Sequence, residues 1–121
     1  GLLDRYLAGY EAQVQANDEP GSWARANLHA TTSASGDEAQ ATNALIAAAA
    51  TNPALLGRVR EACGRWQRQA EADGLEPGMG TLLRFALDGW WYAQIFGLPV
   101  PEGAEREAFE ALYARLARKA A

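Results

Sequence analysis

An all-α fold is predicted by three features of this sequence. Alanine, leucine, glutamate and arginine dominate, β-branched residues are few, and no apolar–polar alternation reaches strand length. Apolar residues recur instead at spacings of three and four, interrupted by proline, glycine and asparagine where helices end well. The punctuation implies a five-helix bundle, and 121 residues suffice for one domain with one core.

The first helix spans about Leu2 to Ala16, places Leu3, Tyr6, Leu7, Tyr10 and Val14 on one face, and ends in "NDEPGS". Its period is established by Leu2 without a preceding cap, and the chain opens on Gly1. A fragment lacking an N-terminal part is therefore expected. Ser22 is the expected N-cap of the second helix, which lines up Trp23, Ala26, Asn27, Ala30 and Ala34. Ser35 and Glu38 read as a capping box opening an alanine-rich third helix that runs to about Thr51. In "TNPALL", Asn52 caps the fourth helix and Pro53 occupies its first position, where a missing N–H costs nothing. Leu55, Leu56, Val59, Ala62, Cys63, Trp66 and Ala70 follow, and Gly74 with Leu75 predicts a Schellman ending. Pro77 opens the aromatic segment, closed by "GLPVPEG". A fifth helix, about Ala104 to Arg118, has Glu102, Glu105 and Glu107 at its start and Arg115, Arg118 and Lys119 at its end, matching the macrodipole. Its apolar stripe is Ala108, Phe109, Leu112 and Leu116.

A net charge of -4 and scattered arginines (Arg5, Arg25, Arg58, Arg60, Arg65, Arg68, Arg84) argue against phosphate binding by this chain. The lone Cys63 excludes an internal disulfide and a cysteine-rich zinc site. No apolar run reaches membrane-span length and no signal peptide opens the chain, so a soluble, cytoplasmic protein without membrane partners is expected. Glycine-rich phosphate loops, G-x-S-x-G and H-E-x-x-H are absent, and His29, the single histidine, has no nearby residues at metal-ligand spacing. Neither catalysis, a metal nor a cofactor is expected, and His29 reads as a rim or surface residue.

The segment "LLRFALDGWWYAQIFGLP", residues 82 to 99, is apolar around well over half of its helical wheel, more than one core can use. Thr81 and Asp88 lie together between Phe85 and Tyr92, with Arg84 at their border. This combination of few polar groups among aromatics suits a cavity wall. The opposite side, Met79, Leu83, Ala86, Leu87 and Trp90, needs another partner. The last helix covers part of it, and a second copy completes a two-fold four-helix bundle.

The order of these segments carries a resemblance. "LLDRYLAGYEA", "NPALLGRVREACGRWQRQAEADGLEP" and above all "ALDGWWYAQIFGLP", followed by a short amphipathic helix, resemble the C-terminal regulatory domain of the tetracycline-repressor (TetR) family of transcription factors. The resemblance implies an absent N-terminal helix-turn-helix domain, through which alone DNA would be bound. It further implies a homodimer built by the last two helices and a small-molecule effector in a cavity near Phe85, Asp88 and Tyr92. With the wheel, it nominates Trp23, Asn27, Trp66, Thr81, Phe85, Asp88 and Tyr92 for the ligand. Leu83, Ala86, Leu87, Trp90, Phe109, Leu112 and Leu116 are nominated for the dimer interface.

Alternatives stand beside these readings. Asp88 either selects a cation or hydroxyl in the cavity or pairs with Arg84 four residues earlier. Phe85, Tyr92 and Trp66 taken singly are ordinary core aromatics, and only their convergence favours a pocket. Asn27 reads first as a satisfied core hydrogen bonder, Cys63 as a small core residue, and Tyr6 and Tyr10 as packing. The competing function is a ligand-free helical dimerisation or scaffold module. A void of a few hundred Å³ beside Phe85 and Asp88 would separate sensing from scaffold.

Overall fold

Each stretch of three-four periodicity becomes one α-helix. The computed structural model describes residues 2–33 and 36–118, which form α1 (Leu2–Gln13), α2 (Ser22–Thr32), α3 (Gly36–Ala50), α4 (Pro53–Glu71), α5 (Met79–Ile95) and α6 (Gly103–Leu116), with no strand among them. The count is six rather than five. Every punctuation point is a true break, so the aromatic helix and the short last helix stand beside four upstream helices. None of the described helices is long and apolar enough to cross a membrane.

Helix ends show where local chemistry suffices. The Asn52 side chain accepts the backbone N–H groups of Ala54 (3.1 Å) and Leu55 (3.4 Å), with Pro53 in the first turn, as the sequence predicts. Ser35 and the side chain of Glu38, the expected capping box, lie outside what the structure describes. The Schellman geometry belongs to α5 rather than α4: Leu98 N–H donates to Ala93 (2.8 Å) and Gly97 N–H to Gln94 (3.3 Å), with Gly97 left-handed. α4 ends earlier than expected, at Glu71, and Gly74 takes its positive φ in the loop beyond.

Ser22 is not the cap of α2. Its hydroxyl is occupied by Asn17, accepting from the backbone N–H and donating to the carbonyl. The carboxylate of Asp73, fifty residues away in the α4–α5 loop, accepts instead from Trp23 N–H (3.1 Å) and Ala24 N–H (3.0 Å). Gly21 precedes them at φ 81, and its N–H donates to the Asp73 carbonyl. A Cβ at Gly21 would stand 1.7 Å from the Ala117 carbonyl oxygen, so both conformation and space require glycine.

α5 is the axis of the bundle. Leu83 and Leu87 pack with Ala24 of α2 and with Tyr113 and Ala117 at the α6 end. The Tyr113 hydroxyl donates to the Ala24 carbonyl at 2.8 Å, which satisfies the one polar atom of a buried ring. α4 crosses α5 closely at Gly80, where a Cβ would lie 2.0 Å from the Ala70 carbonyl oxygen. α1 closes over the opposite side, with Leu3 and Leu7 against Ala62, and Val14 beside Trp23, Ala30 and Ala70. Arg58–Asp4 and Arg65–Glu11 ion pairs, both 2.8 Å, and the Trp66 Nε1–Glu11 bond (3.0 Å) hold α1 to α4.

Candidate ligand-binding site

Two adjoining chambers open between α1, α2, α4 and α5. The smaller, about 70 Å³, is the polar one: Tyr10 of α1 and Trp23, Asn27 and Thr31 of α2 face Arg84 and Asp88 of α5 across it. The larger, about 140 Å³, is mostly apolar, with Leu3 and Leu7 of α1, Leu45 of α3, and Val59 and Cys63 of α4. Tyr6, Trp66, Arg84, Asp88 and Trp91 border both. The helical periods explain the division. Spacings of three and four in α1 bring Leu3, Tyr6, Leu7 and Tyr10 to one side, and Arg84, Asp88 and Trp91 repeat the pattern on α5.

The polar atoms form a short chain. The Tyr10 hydroxyl and the Thr31 hydroxyl (3.3 Å) both donate to Asn27 Oδ1. Arg84 donates to Gln67 Oε1 at 2.7 Å and lies 3.4 Å from the Asp88 carboxylate; Gln67 in turn donates to the Thr81 hydroxyl at 2.9 Å. Loss of water raises the Asp88 carboxyl above its ordinary value, with the Arg84 guanidinium opposing. Burial likewise pushes up the Tyr10 phenol and the Cys63 thiol, so both stay neutral at pH 7. Among the described residues no group of three His, Cys, Asp or Glu side chains is placed to hold a metal ion. His29 is exposed.

Of the residues nominated for a ligand, the fold gathers Trp23, Asn27, Trp66 and Asp88 around the chambers, with Tyr92 at the rim of the larger one. Phe85 is 61 % exposed and borders neither. The cavity lies on the Trp91 side of Asp88, and Phe85 is on its other side. Thr81 serves the α4–α5 contact through Gln67 rather than either chamber. Asp88 borders both chambers and pairs with Arg84, and Asn27 borders the polar one and accepts from Tyr10 and Thr31. Tyr6, Tyr10 and Cys63 border the space although their sequence context suggested packing, and Thr31, Leu45 and Trp91 join them. The apolar stripe of α1 was visible, but nothing local showed that it faces a void.

A family model described as the tetracyclin repressor-like C-terminal domain matches residues 21–118. The chain belongs to that family. No curated protein and no solved structure matches it. The matched span runs from the Gly21 turn through α6, so α2 to α5 contribute chamber walls inside it, while the α1 wall precedes it.

In this tetracyclin repressor-like domain the two sides of α5 are used differently from the wheel's expectation. Leu83, Leu87 and Trp90, nominated for a second copy, are 3 %, 2 % and 5 % exposed within one chain. They have almost no surface left to give, because α2 and α6 of the same chain cover them; Trp90 stacks on Phe109 with ring centres 5.3 Å apart. Ala86, Phe109 and Leu116 are also partly covered, and only Leu112 of the nominated set is mostly open. The shift in α6 is one of phase: Tyr113 and Ala117, outside the predicted stripe, turn inward. The open apolar strip of α5 is Leu82, Phe85, Tyr92 and Phe96, interrupted by Gly89, all at helical spacing.

Proposed function

We propose that this domain is the effector-sensing and dimerising part of a tetracyclin repressor-like transcriptional regulator, without a catalytic step of its own. The observation that carries the reading is the pair of chambers, a polar one and an apolar one, where α1 meets α2, α4 and α5. A small apolar or amphipathic effector would fill them and touch α1, α2, α4 and α5 together. DNA would be bound only by a helix-turn-helix domain upstream of α1. Effector control follows if the ligand prefers one arrangement of α1 against α4 and α5, since equal affinity for both arrangements shifts nothing. Two copies would meet through the open strip Leu82, Phe85, Tyr92 and Phe96 with Leu112. Contiguous apolar surface of this kind is the usual mark of an interaction site.

The test is a titration of intrinsic tryptophan fluorescence against a broad panel of small apolar and amphipathic molecules, because Trp23, Trp66 and Trp91 all border the chambers. A saturable change is expected for at least one compound. Trp91→Ala should weaken it by roughly tenfold or more, the loss expected for an aromatic wall, while Phe85→Ala leaves it unchanged. No saturable change across the panel would favour a ligand-free dimerisation or scaffold module.

A further inference from the structure

Asp88 borders both chambers, and its side chain is 46 % exposed. Its charged neighbour, Arg84 Nη2, stands at 3.4 Å, beyond the roughly 2.7–2.9 Å typical of a charge-assisted hydrogen bond. Arg84 gives its Nη1 to Gln67 Oε1 at 2.7 Å instead. Among the described residues the Asp88 carboxylate therefore has an ion pair but no hydrogen-bond donor, although it has acceptor sites for about four. A carboxylate drawn partly out of water without donors is an incompletely compensated charge. The raised Asp88 carboxyl agrees, since lost hydration outweighs the Arg84 guanidinium.

Further acceptors border the same space. Tyr10 and Thr31 each give their single O–H to Asn27 Oδ1, so both hydroxyl oxygens keep lone pairs at the polar chamber. Tyr10, Trp66 and Trp91, all partly exposed, add aromatic walls, whose π-faces attract cations rather than anions. An anion meets Asp88 as a like charge, and a neutral hydroxyl brings one donor and no compensating charge. A primary ammonium brings a full positive charge and three N–H donors, matching one carboxylate and two hydroxyl oxygens. Size sets the body. An apolar cavity of about 150 Å³ accepts a benzene ring, and a water molecule's share of liquid is about 30 Å³. The chamber of about 140 Å³ suits one small ring, and that of about 70 Å³ a head of two or three heavy atoms.

Resting on the sensing reading above, we propose that the effector is a small primary amine on an apolar body of about one ring. The body lies among Leu7, Val59 and Trp91, and the ammonium is received by Asp88, Tyr10 and Thr31. It shares the carboxylate with Arg84, whose Nη1 stays on Gln67.

Four probes of one shape test this: phenethylamine, 2-phenylethanol, ethylbenzene and 3-phenylpropanoate, titrated at pH 7 into the 121-residue chain by calorimetry. Phenethylamine is expected to bind at one site per chain, about tenfold more tightly than ethylbenzene, as hydrogen bonds to charged groups imply. It should also bind more tightly than the alcohol and the anion. Asp88→Asn should abolish the amine's advantage over ethylbenzene. Tyr10→Phe, which keeps the ring and removes one acceptor, should reduce that advantage by about threefold or more, and it carries the test even if Asp88→Asn does not fold. Equal or tighter binding of ethylbenzene, 2-phenylethanol or 3-phenylpropanoate overturns the amine assignment and leaves the cavity as a ligand site. An amine preference that survives both substitutions places the ammonium elsewhere and overturns it too. Silence from all four overturns head and size together, and the broad fluorescence panel then decides the sensing reading separately.

Discussion

Asp73 shows how much one side chain does when the fold places it. Its two oxygens take the first N–H groups of α2, and its backbone carbonyl takes Gly21 N–H, so one loop residue ties the α4–α5 connection to the start of another helix. The site is buried, and removing the carboxylate leaves two donors without partners. Asp73→Ala is expected to lower unfolding free energy by about 1–3 kcal/mol, and Asp73→Asn by less because one amide oxygen still accepts. Urea denaturation of the three proteins checks the order; equal midpoints would show that Asp73 does not cap α2. Nothing near Asp73 in the chain signalled this role. Ser22 carried the local signal and was outcompeted by a residue fifty positions away.

At the scale of elements, α5 answers why its sequence is apolar on nearly every side. One face is the core of the chain, a second borders the chambers, and a third, centred on Gly89 with Leu82, Phe85 and Phe96, stays open. The face that the helical wheel set aside for a second copy, Leu83, Leu87 and Trp90, is buried within one chain, and the face with Phe85 is open. Substitutions on opposite sides of α5 should therefore behave differently. Trp90→Ala removes a buried ring stacked on Phe109 and is expected to cost about 3–5 kcal/mol of stability, leaving self-association of the folded protein intact. Phe85→Glu, at an open position, should change the stability of the single chain by only about 0.5 kcal/mol while weakening the self-association proposed for the open strip. Sedimentation velocity with thermal unfolding distinguishes them, and a Phe85→Glu protein that remains fully dimeric would sink the open-strip interface. The helical stretches and the Asn52–Pro53 start of α4 were legible, because caps and prolines act within a few residues, while the helix count, the cap of α2 and the end of α4 were not. The phase of α6 was not, since its alanines and aromatics fit two stripes equally well.

For the whole molecule, the half-buried Asp88 predicts a pH response. Its carboxyl is raised in the folded state by lost hydration, so the folded chain holds that proton more tightly than the unfolded one, whose value is about 3.9. Stability from this group consequently declines as pH rises from near that value through the raised folded value, and is level above it. Asp88→Asn removes the decline: its advantage over the unmodified chain should grow between pH 4 and the folded value in urea unfolding series, whereas a pH-independent difference would refute the assignment. Sequence by itself determined the all-helical class, the breaks between helices, the family resemblance and the importance of the 82–99 segment, because periodicity and end chemistry are short-range. Tertiary structure alone decided which face of α5 is core, that Asp73 rather than Ser22 starts α2, and that the void lies toward Trp91 rather than Phe85. Those outcomes depend on what the other helices bring against each surface, and a helix with several apolar faces carries no local signal for choosing among them.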